Sequence, residues 1–401
     1  MNHTLIPVEQ ALKILLEMAP VAQQTEVLDL LESAGRVLAE DVISQVNVPP
    51  ADNSSMDGYA LRYQDRLAPL PVSQRIGAGH PALPLKLGTC ARIFTGGEIP
   101  AGADLVVMQE AVSFTAFDDV VVPENLTLGQ NIRPAGQDIR LGDKVVCAGT
   151  CLDYRHLGLL ASVGVAQVKV FRRVKVVLLS TGDELVMPGT VLQAGQIYNS
   201  HRFLLQGYLE KMGAEVVSFA QVADSYEQTL EVMRSMAAIA DVILSTGGVS
   251  VGEEDHVKPA VEALGELSLW RLAMKPGKPL AFGRIGSSLF MGLPGNPVST
   301  FVGAQVFVEP LLRKLSGEKA SDKPLLQGQL LQGKVHFSAI TQARQEYLRV
   351  QAVWQDQAWQ LYAYANQSSG VLSSTVHTNA LAIMPPQHDV SPGDQLDFWF
   401  Y

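Results

Sequence analysis

Residues 47–61, NVPPADNSSMDGYAL, place Asp52, Asn53, Ser54, Ser55 and Asp57 within six consecutive positions, with Gly58 and Tyr59 following. A connecting loop needs polarity and perhaps one glycine, but not this density of short oxygen-bearing side chains. Asp57 therefore reads as a carboxylate held out towards something. Elsewhere the tetrapeptide Leu-Ser-Thr-Gly ends two separate apolar runs, at 179–182 and at 244–247. In an open parallel sheet ligands bind beyond the carboxyl ends of the strands. Thr181–Gly182 and Thr246–Gly247–Gly248 would then share one rim, where glycine lets backbone N–H groups approach an anion without a Cβ in the way. Either tip alone is equally a simple turn; together they favour a phosphate-bearing ligand. A third tip lies in GLPGNPVSTFVGAQ, 292–305. Pro294-Gly295 makes a rigid turn, Asn296 suits a helix N-cap and Pro297 the first helical position. The N–H groups of that turn and the helix dipole would face the same rim.

Charge decorates the edge. Asp183 and Glu184 follow the first glycine turn, and Glu253, Glu254 and Asp255 follow the second, with His256 and Lys258 close by. A carboxylate run is usually a solvated face, yet carboxylates here suit Mg²⁺, which takes a few carboxylate oxygens plus phosphates and water. Opposite in sign is WRLAMKPGKPLAF, 270–282, where Arg271, Lys275 and Lys278 flank a Pro-Gly-Lys-Pro turn too stiff to serve only solubility. Carboxylates, cations and glycine amides on one rim are what phosphoanhydride chemistry requires. No Ser-His-Asp or Cys-His pattern stands out, so a covalent intermediate is not expected.

The elements that must position these residues follow from length and texture. A chain of 401 residues suggests two to four domains. With 47% hydrophobic and 17% charged residues the composition is globular. The net charge of −10 argues against a nucleic-acid partner. Three cysteines give no disulfide framework, and the Cys147/Cys151 pair has no second pair to complete a metal tetrad; they read as reduced structural thiols. The amino terminus has helical spacing at Val8, Ala11, Leu12, Leu15 and Leu16, lacks the layout of a signal peptide, and no apolar run spans a bilayer, so a cytoplasmic protein with no membrane partner is expected. A second helical pattern runs through Leu28, Leu31 and Leu38. Short β-type runs with many Gly and Pro follow to about Gly142, and DYRHLGLLASVGV reads as a short helix, so the β-rich segment looks like an insertion into a helical one. From Arg172 buried strands alternate with helices, one of them started by Asn199 or Ser200 and stopped by Gly213, which means a parallel, doubly wound α/β domain. The tail alternates like a small all-β domain. The expected division is a helical linking domain (1–45 plus 143–172), a β-rich inserted domain (46–142), an α/β domain (173–321) and a C-terminal β-barrel domain (322–401).

In this order PPADNSSMDGYA, RIFTGGEIPAGADLVVMQE, GQNIRPAGQDI, LLSTGDEL, GQIYNSHR, ILSTGGVSVGEEDHVK, MKPGKPLAFG and GLPGNPVSTF resemble the MoeA-type molybdopterin molybdenumtransferases, a family that includes the C-terminal domain of gephyrin. Any one motif is a modest signal; eight in series over nearly the whole chain are specific. The resemblance implies four domains in an elongated homodimer, with the active site between the molybdopterin-binding α/β domain of one subunit and the β-rich domain of the other. It implies a Mg²⁺-dependent reaction in which adenylylated molybdopterin is cleaved, AMP leaves and molybdate is installed on the dithiolene to give molybdenum cofactor. It also implies contact with a molybdopterin adenylyltransferase. Asp57 would close the site in trans, together with Thr95 in the FTGG turn, Arg133 and Asp138. Glu184, Asp224 and Asp255 match family acidic site residues, with Glu184 and Asp255 as the metal carboxylates. Lys275 and Lys278 match a Lys pair meeting molybdate or phosphate. The implied ligand-binding set is Thr181, Gly182, Asp183, Gly247, Gly248, Ser250, Arg271, Pro294, Gly295, Asn296 and Pro297, with Arg349 and Ser369 near the anion and Arg344 competing with Arg349.

Ala51 stands where the motif has an aromatic residue, Gln137 where it has Glu, and Arg271 where it has Lys, which keeps the charge but changes the donor geometry. Two other functions compete. A pyrophosphatase or nucleotide-deamidase relative would use the α/β domain but has no use for DNSSMDGYA or the last domain. A paralogue or scaffold would bind molybdopterin or nucleotide ligands without inserting molybdenum.

Overall fold

In the computed structural model, which describes residues 5–20, 23–223, 225–248, 256–319 and 330–401, the apolar run at 175–181 is a strand, Lys175–Thr181, with Val176 to Ser180 buried. Its side chains alternate between two cores. Val176 and Leu178 join Val242, Leu244, Leu289 and Met291 against helices Ser200–Lys211 and Val8–Met18. Val177 and Leu179 join Ile243 and Phe290 against helices Tyr226–Ala237 and Val257–Leu264. A strand covered on both faces has no polar side, which is why its sequence reads as an unbroken apolar run.

The chain divides into two units: Met1–Glu26 with Gly35–Ala39 and Val170–Tyr401, and Val27–Ala34 with Glu40–Lys169. The first holds a six-stranded sheet in the order Glu215–Val222, Lys175–Thr181, Val242–Thr246, Ser288–Leu293, Pro279–Ile285, Gly265–Arg271. The first four are parallel, as expected; Pro279–Ile285 runs antiparallel to both neighbours, so the sheet is mixed. Ser288 follows Ile285 after only two residues, and a hairpin that short makes antiparallel pairing the sole option. The helix at the third tip is Pro297–Gly303; it runs on through a π-helical turn, Ala304–Val308, into Glu309–Leu315. Five strands at the C-terminal end close on themselves, in the order 345–355, 358–363, 331–335, 395–400, 380–384 and back to 345–355, giving the expected barrel.

In the second unit a four-stranded sheet takes the order Val72–Ile76, Cys90–Ile93, Gly58–Leu61, Leu105–Met108. The helix Tyr154–Ser162 is capped by Asp153, which accepts from the N–H groups of Arg155 and His156. The second helical pattern is corrected. Its residues form a strand, Thr25–Asp29, and a single 3₁₀ turn, Leu30–Ser33, ended by Gly35 in the left-handed region. Leu38 is fully buried while Leu31 is 86% exposed, so the three leucines share no face. Thr25 and Val27 are β-branched, and the strand pairs with Gln167–Phe171, a partner distant in sequence.

Candidate functional site

The pairing register brings three strand ends level. Ser180 lies opposite Thr246, and Thr246 opposite Leu293, so Thr181–Gly182, Gly247–Gly248 and Pro294–Gly295 all emerge at one rim. Behind it the Ser180 and Thr246 hydroxyls are 3.2 Å apart. The glycines are needed for conformation and for space. Gly182 has φ +137°, and a Cβ there would sit 2.3 Å from a carboxylate oxygen of Glu184. Gly248 has φ +67°, and its Cβ would meet a Val257 methyl at 2.2 Å. A Cβ on Gly295 would lie 3.6 Å from the Cα of Gly247, so the second and third tips are neighbours.

Over these tips lies a cavity of about 660 Å³, lined by Gly247, Gly248, Lys275, Pro276, Gly277, Lys278, Pro279, Pro294, Gly295, Asn296, Ser299, Arg344, Gln367, Ser368 and Ser369. Three of these residues are cations and none is acidic. Lys275 Nζ donates to both carboxylate oxygens of Glu346, at 3.1 and 3.0 Å. Among the described residues Lys278 and Arg344 form no ion pair. The cavity is thus basic, stiffened by proline, and floored by glycine backbone, which suits a compact oxyanion.

Of the residues expected at the rim, Gly247, Gly248, Lys275, Lys278, Pro294, Gly295, Asn296 and Ser369 line the cavity. Thr181, Gly182 and Glu184 stand beside it through the Gly182 and Gly247 contacts. Asp183 and Arg271 are exposed and do not line it. Asp224, Ser250 and Asp255 lie outside the described residues. Pro297 starts its helix as expected, but the helix end is not left free for an anion. Asn296 makes no side-chain cap, and the Val298 N–H donates to the Ser369 carbonyl at 2.9 Å. Thr300 holds the turn instead, its hydroxyl donating to the Pro294 carbonyl at 2.7 Å.

Arg349 and Arg344 exchange places relative to the first choice. Arg344 lines the cavity, whereas Arg349, 1% exposed, lies behind the 366–369 loop. Its Nε donates to Ser374 Oγ at 3.0 Å, and its Nη2 to the carbonyls of Asn366 and Ser368 at 3.2 and 3.1 Å. Burial lowers its pKa from the usual guanidinium value. Gln367 is clamped to the Arg349 backbone, accepting from its N–H at 3.0 Å and donating to its carbonyl at 2.9 Å. The loop residues Gln367 and Ser368 and the acidic partner Glu346 were not anticipated. A polar NQSSG stretch before a glycine was the available signal for the loop. Only strand register places Glu346.

The second unit carries its own feature. Gly58 opens the central strand opposite Ile93, so Asp57 and Thr95 leave the sheet at the same end. Gly58 is obligatory there, because a Cβ would lie 2.0 Å from the Val107 carbonyl oxygen. Asp57 Oδ1 accepts from both the Thr95 N–H and its hydroxyl, each at 2.8 Å. These bonds, with the Arg92 charge nearby, hold the Asp57 carboxyl below the usual carboxylate range. Other loop oxygens bond to the 131–135 segment beside the loop, while Asn53 Oδ1 is buried with no hydrogen-bond partner among the described residues. Asp52 Oδ1 accepts from Ala135 N–H at 2.8 Å, and Ser55 Oγ donates to the Asn131 carbonyl at 3.1 Å. Asp57 stands half-buried at the end of the loop, and Arg133 and Asp138 are exposed.

Comparison with known proteins places the whole chain. Residues 6–164 match the MoeA N-terminal region (domain I and II), residues 177–314 a probable molybdopterin binding domain, and residues 335–401 the MoeA C-terminal region (domain IV). A molybdopterin molybdenumtransferase of Haemophilus influenzae is 42% identical over 84% of this chain and 81% of its own length. One from a Nostoc species is 35% identical, covering 90% of this chain and 85% of the relative. The crystal structure of the molybdopterin biosynthesis MoeA protein from Pyrococcus horikoshii superposes with a TM-score of 0.84 at 27% identity, covering 99% of this chain and 100% of that one. With a basic cavity at the strand tips and all three family regions in order, the chain belongs to the MoeA family of molybdopterin molybdenumtransferases, enzymes of molybdenum cofactor biosynthesis.

Proposed function

We propose that the chain inserts molybdate into adenylylated molybdopterin in a Mg²⁺-dependent reaction that releases AMP and yields molybdenum cofactor. The observation that carries this reading is the cavity lined by Lys275, Lys278, Arg344 and glycine backbone without a carboxylate. Molybdate, a tetrahedral dianion, is a substrate that such a lining would hold. Lys278 and Arg344 bind its oxygens, and Ser369 adds a hydroxyl. The Gly247–Gly248 and Pro294–Gly295 tips take the phosphates of the pterin substrate. Mg²⁺ needs only one or two protein carboxylates when phosphate oxygens and water complete its shell. Glu184, exposed beside Gly182, supplies one, and Asp255 is the second in this reading; Asp224 stands with them as an acidic site residue. When bound, the ion neutralises charge on the departing phosphate.

The reading includes a cytoplasmic homodimer of four-domain subunits, in which the partner's Asp57 and Thr95 complete the site. It also includes delivery of substrate by a molybdopterin adenylyltransferase. The test is a single-turnover reaction of the purified chain with adenylylated molybdopterin and Mg²⁺, with and without molybdate. Molybdate-dependent AMP release is expected, and Lys278→Ala should slow it by about a hundredfold. Tight binding with no AMP release would reject the reading in favour of a binding or scaffold role.

A further inference from the structure

We propose that Glu346 is a positioning residue for the oxyanion cavity, fixing Lys275 and setting the cavity's charge; the inference rests on reading that cavity as the molybdate site. Met274–Lys275 pairs in parallel with Gln345–Glu346, and Lys275 sits directly opposite Glu346. Residues so placed project from the same face of a sheet. The ammonium meets both carboxylate oxygens, at 3.1 and 3.0 Å. A lysine ammonium has three N–H donors, so the contact with Glu346 leaves the remainder to face the cavity that Lys275 lines.

Burial is unequal across the pair: the Glu346 side chain is 14% exposed and that of Lys275 51%. The carboxylate is therefore the fixed member. Its strand is held by Tyr347, fully buried with its ring 5.7 Å from that of Trp399. A free lysine side chain samples many rotamers, and ordering it on binding costs conformational entropy. Glu346 removes that cost before substrate arrives.

Charge gives the second half of the argument. The lining supplies three cations, Lys275, Lys278 and Arg344, and no acid. Among the described residues Glu346 is the one carboxylate paired with any of them. Among the described residues the cavity then presents two positive charges with no ion-pair partner, Lys278 and Arg344, matched to a dianion. A third would bind any dianion more tightly and release it less readily, which lowers turnover when the bound oxyanion must be handed on.

The test uses the full chain with sodium molybdate alone, titrated calorimetrically at two ionic strengths, beside assays of molybdenum cofactor formation. Glu346→Gln keeps the shape and removes the charge. It should bind molybdate roughly fivefold tighter, with a steeper salt dependence, while kcat falls about tenfold. Glu346→Asp keeps the charge but draws the carboxylate back. It should leave molybdate affinity near that of the parent and still lower kcat, separating position from charge. Unchanged kcat in both variants, or affinity for molybdate that does not rise in Glu346→Gln, would reduce the pair to a structural ion pair and overturn the inference while the cavity reading stands. No molybdate binding by the parent chain would overturn both.

Discussion

Asp57 is kept ionised by its neighbour. Both Thr95 donors converge on Oδ1, and hydrogen bonds to a carboxylate favour the charged form. Among the described residues Oδ2 accepts no hydrogen bond, so one oxygen is fixed and the other is offered. Thr95→Val removes the hydroxyl and keeps the backbone N–H, which raises the proton affinity of Asp57 without freeing the loop. If activity needs the carboxylate, the acid limb of the pH–activity curve should move to higher pH. The carboxyl of the variant returns only towards the usual carboxylate range, about 3.9, so activity should fall below the parent only as pH drops towards about 4 and should not diverge from it between about pH 6 and pH 8. An unshifted acid limb would show that the Asp57 charge is not used. At this scale the sequence was informative where chemistry demands an unusual residue type. The oxygen-rich 52–57 loop, the glycine tips and the Lys275/Lys278 turn all announce themselves. It was silent on Glu346, because an acidic residue in EYLRV looks like any strand surface until register sets it opposite Lys275. It also left Arg349 and Arg344 in competition: two arginines five residues apart are indistinguishable by type, and only burial separates the one lining the cavity from the one behind it.

The rim depends on strands that start in step, and one ionic cluster at the opposite end of the sheet secures this. Asp241 accepts from both terminal nitrogens of Arg172, at 2.8 Å each, and from the Lys175 N–H at 2.7 Å. Its own N–H and carbonyl bond Lys175 and Leu289, so one residue ties the beginnings of three strands. Burial raises the Asp241 pKa, but the Arg172 and Lys175 bonds outweigh it and leave the value below normal. Arg172→Ala should cost about 2 kcal/mol at pH 7, as expected for charge-assisted bonds lost from a half-buried carboxylate. A depressed folded-state pKa gives stability that is present above the unfolded value, about 3.9, and lost as pH falls through the folded one. The gap between variant and parent in thermal unfolding should therefore narrow below about pH 4. A gap independent of pH would assign the loss to packing. Elements with a strong local signature, such as the apolar 175–181 run or the Asn199-capped helix, were legible. Elements defined by a distant partner were not. The strand Thr25–Asp29 owes its conformation to residues 167–171, and helical spacing of three leucines could not report that. The helix at Pro297 shows the same limit: its position was readable, but not the Ser369 carbonyl that occupies its N–H.

At the scale of the whole molecule, the chain contains two polar centres, one in each unit, which the proposed function joins as halves of a shared site. The α/β rim has cations, glycine amides and Glu184; the other unit offers the carboxylate of Asp57, held by Thr95, from a loop tied to the 131–135 segment. In the proposed homodimer each site would take one half from each subunit, with Asp57 directed at the second chain. Subunit complementation tests this directly. Asp57→Ala and Lys278→Ala should each retain no more than about one hundredth of the parent activity alone. Co-expressed in equal amounts with separable tags, they should give mixed dimers as half the population. In a mixed dimer with sites shared in trans, one site carries both lesions and the other carries neither. Activity of the mixture should then recover to about one quarter of the parent, since half the dimers hold one intact site of two. If each site were built within one subunit, no mixture would contain an intact site, and activity would stay at the level of the single variants. Recovery would therefore require both a dimer and sharing between its subunits, with the Asp57 loop directed at a second chain.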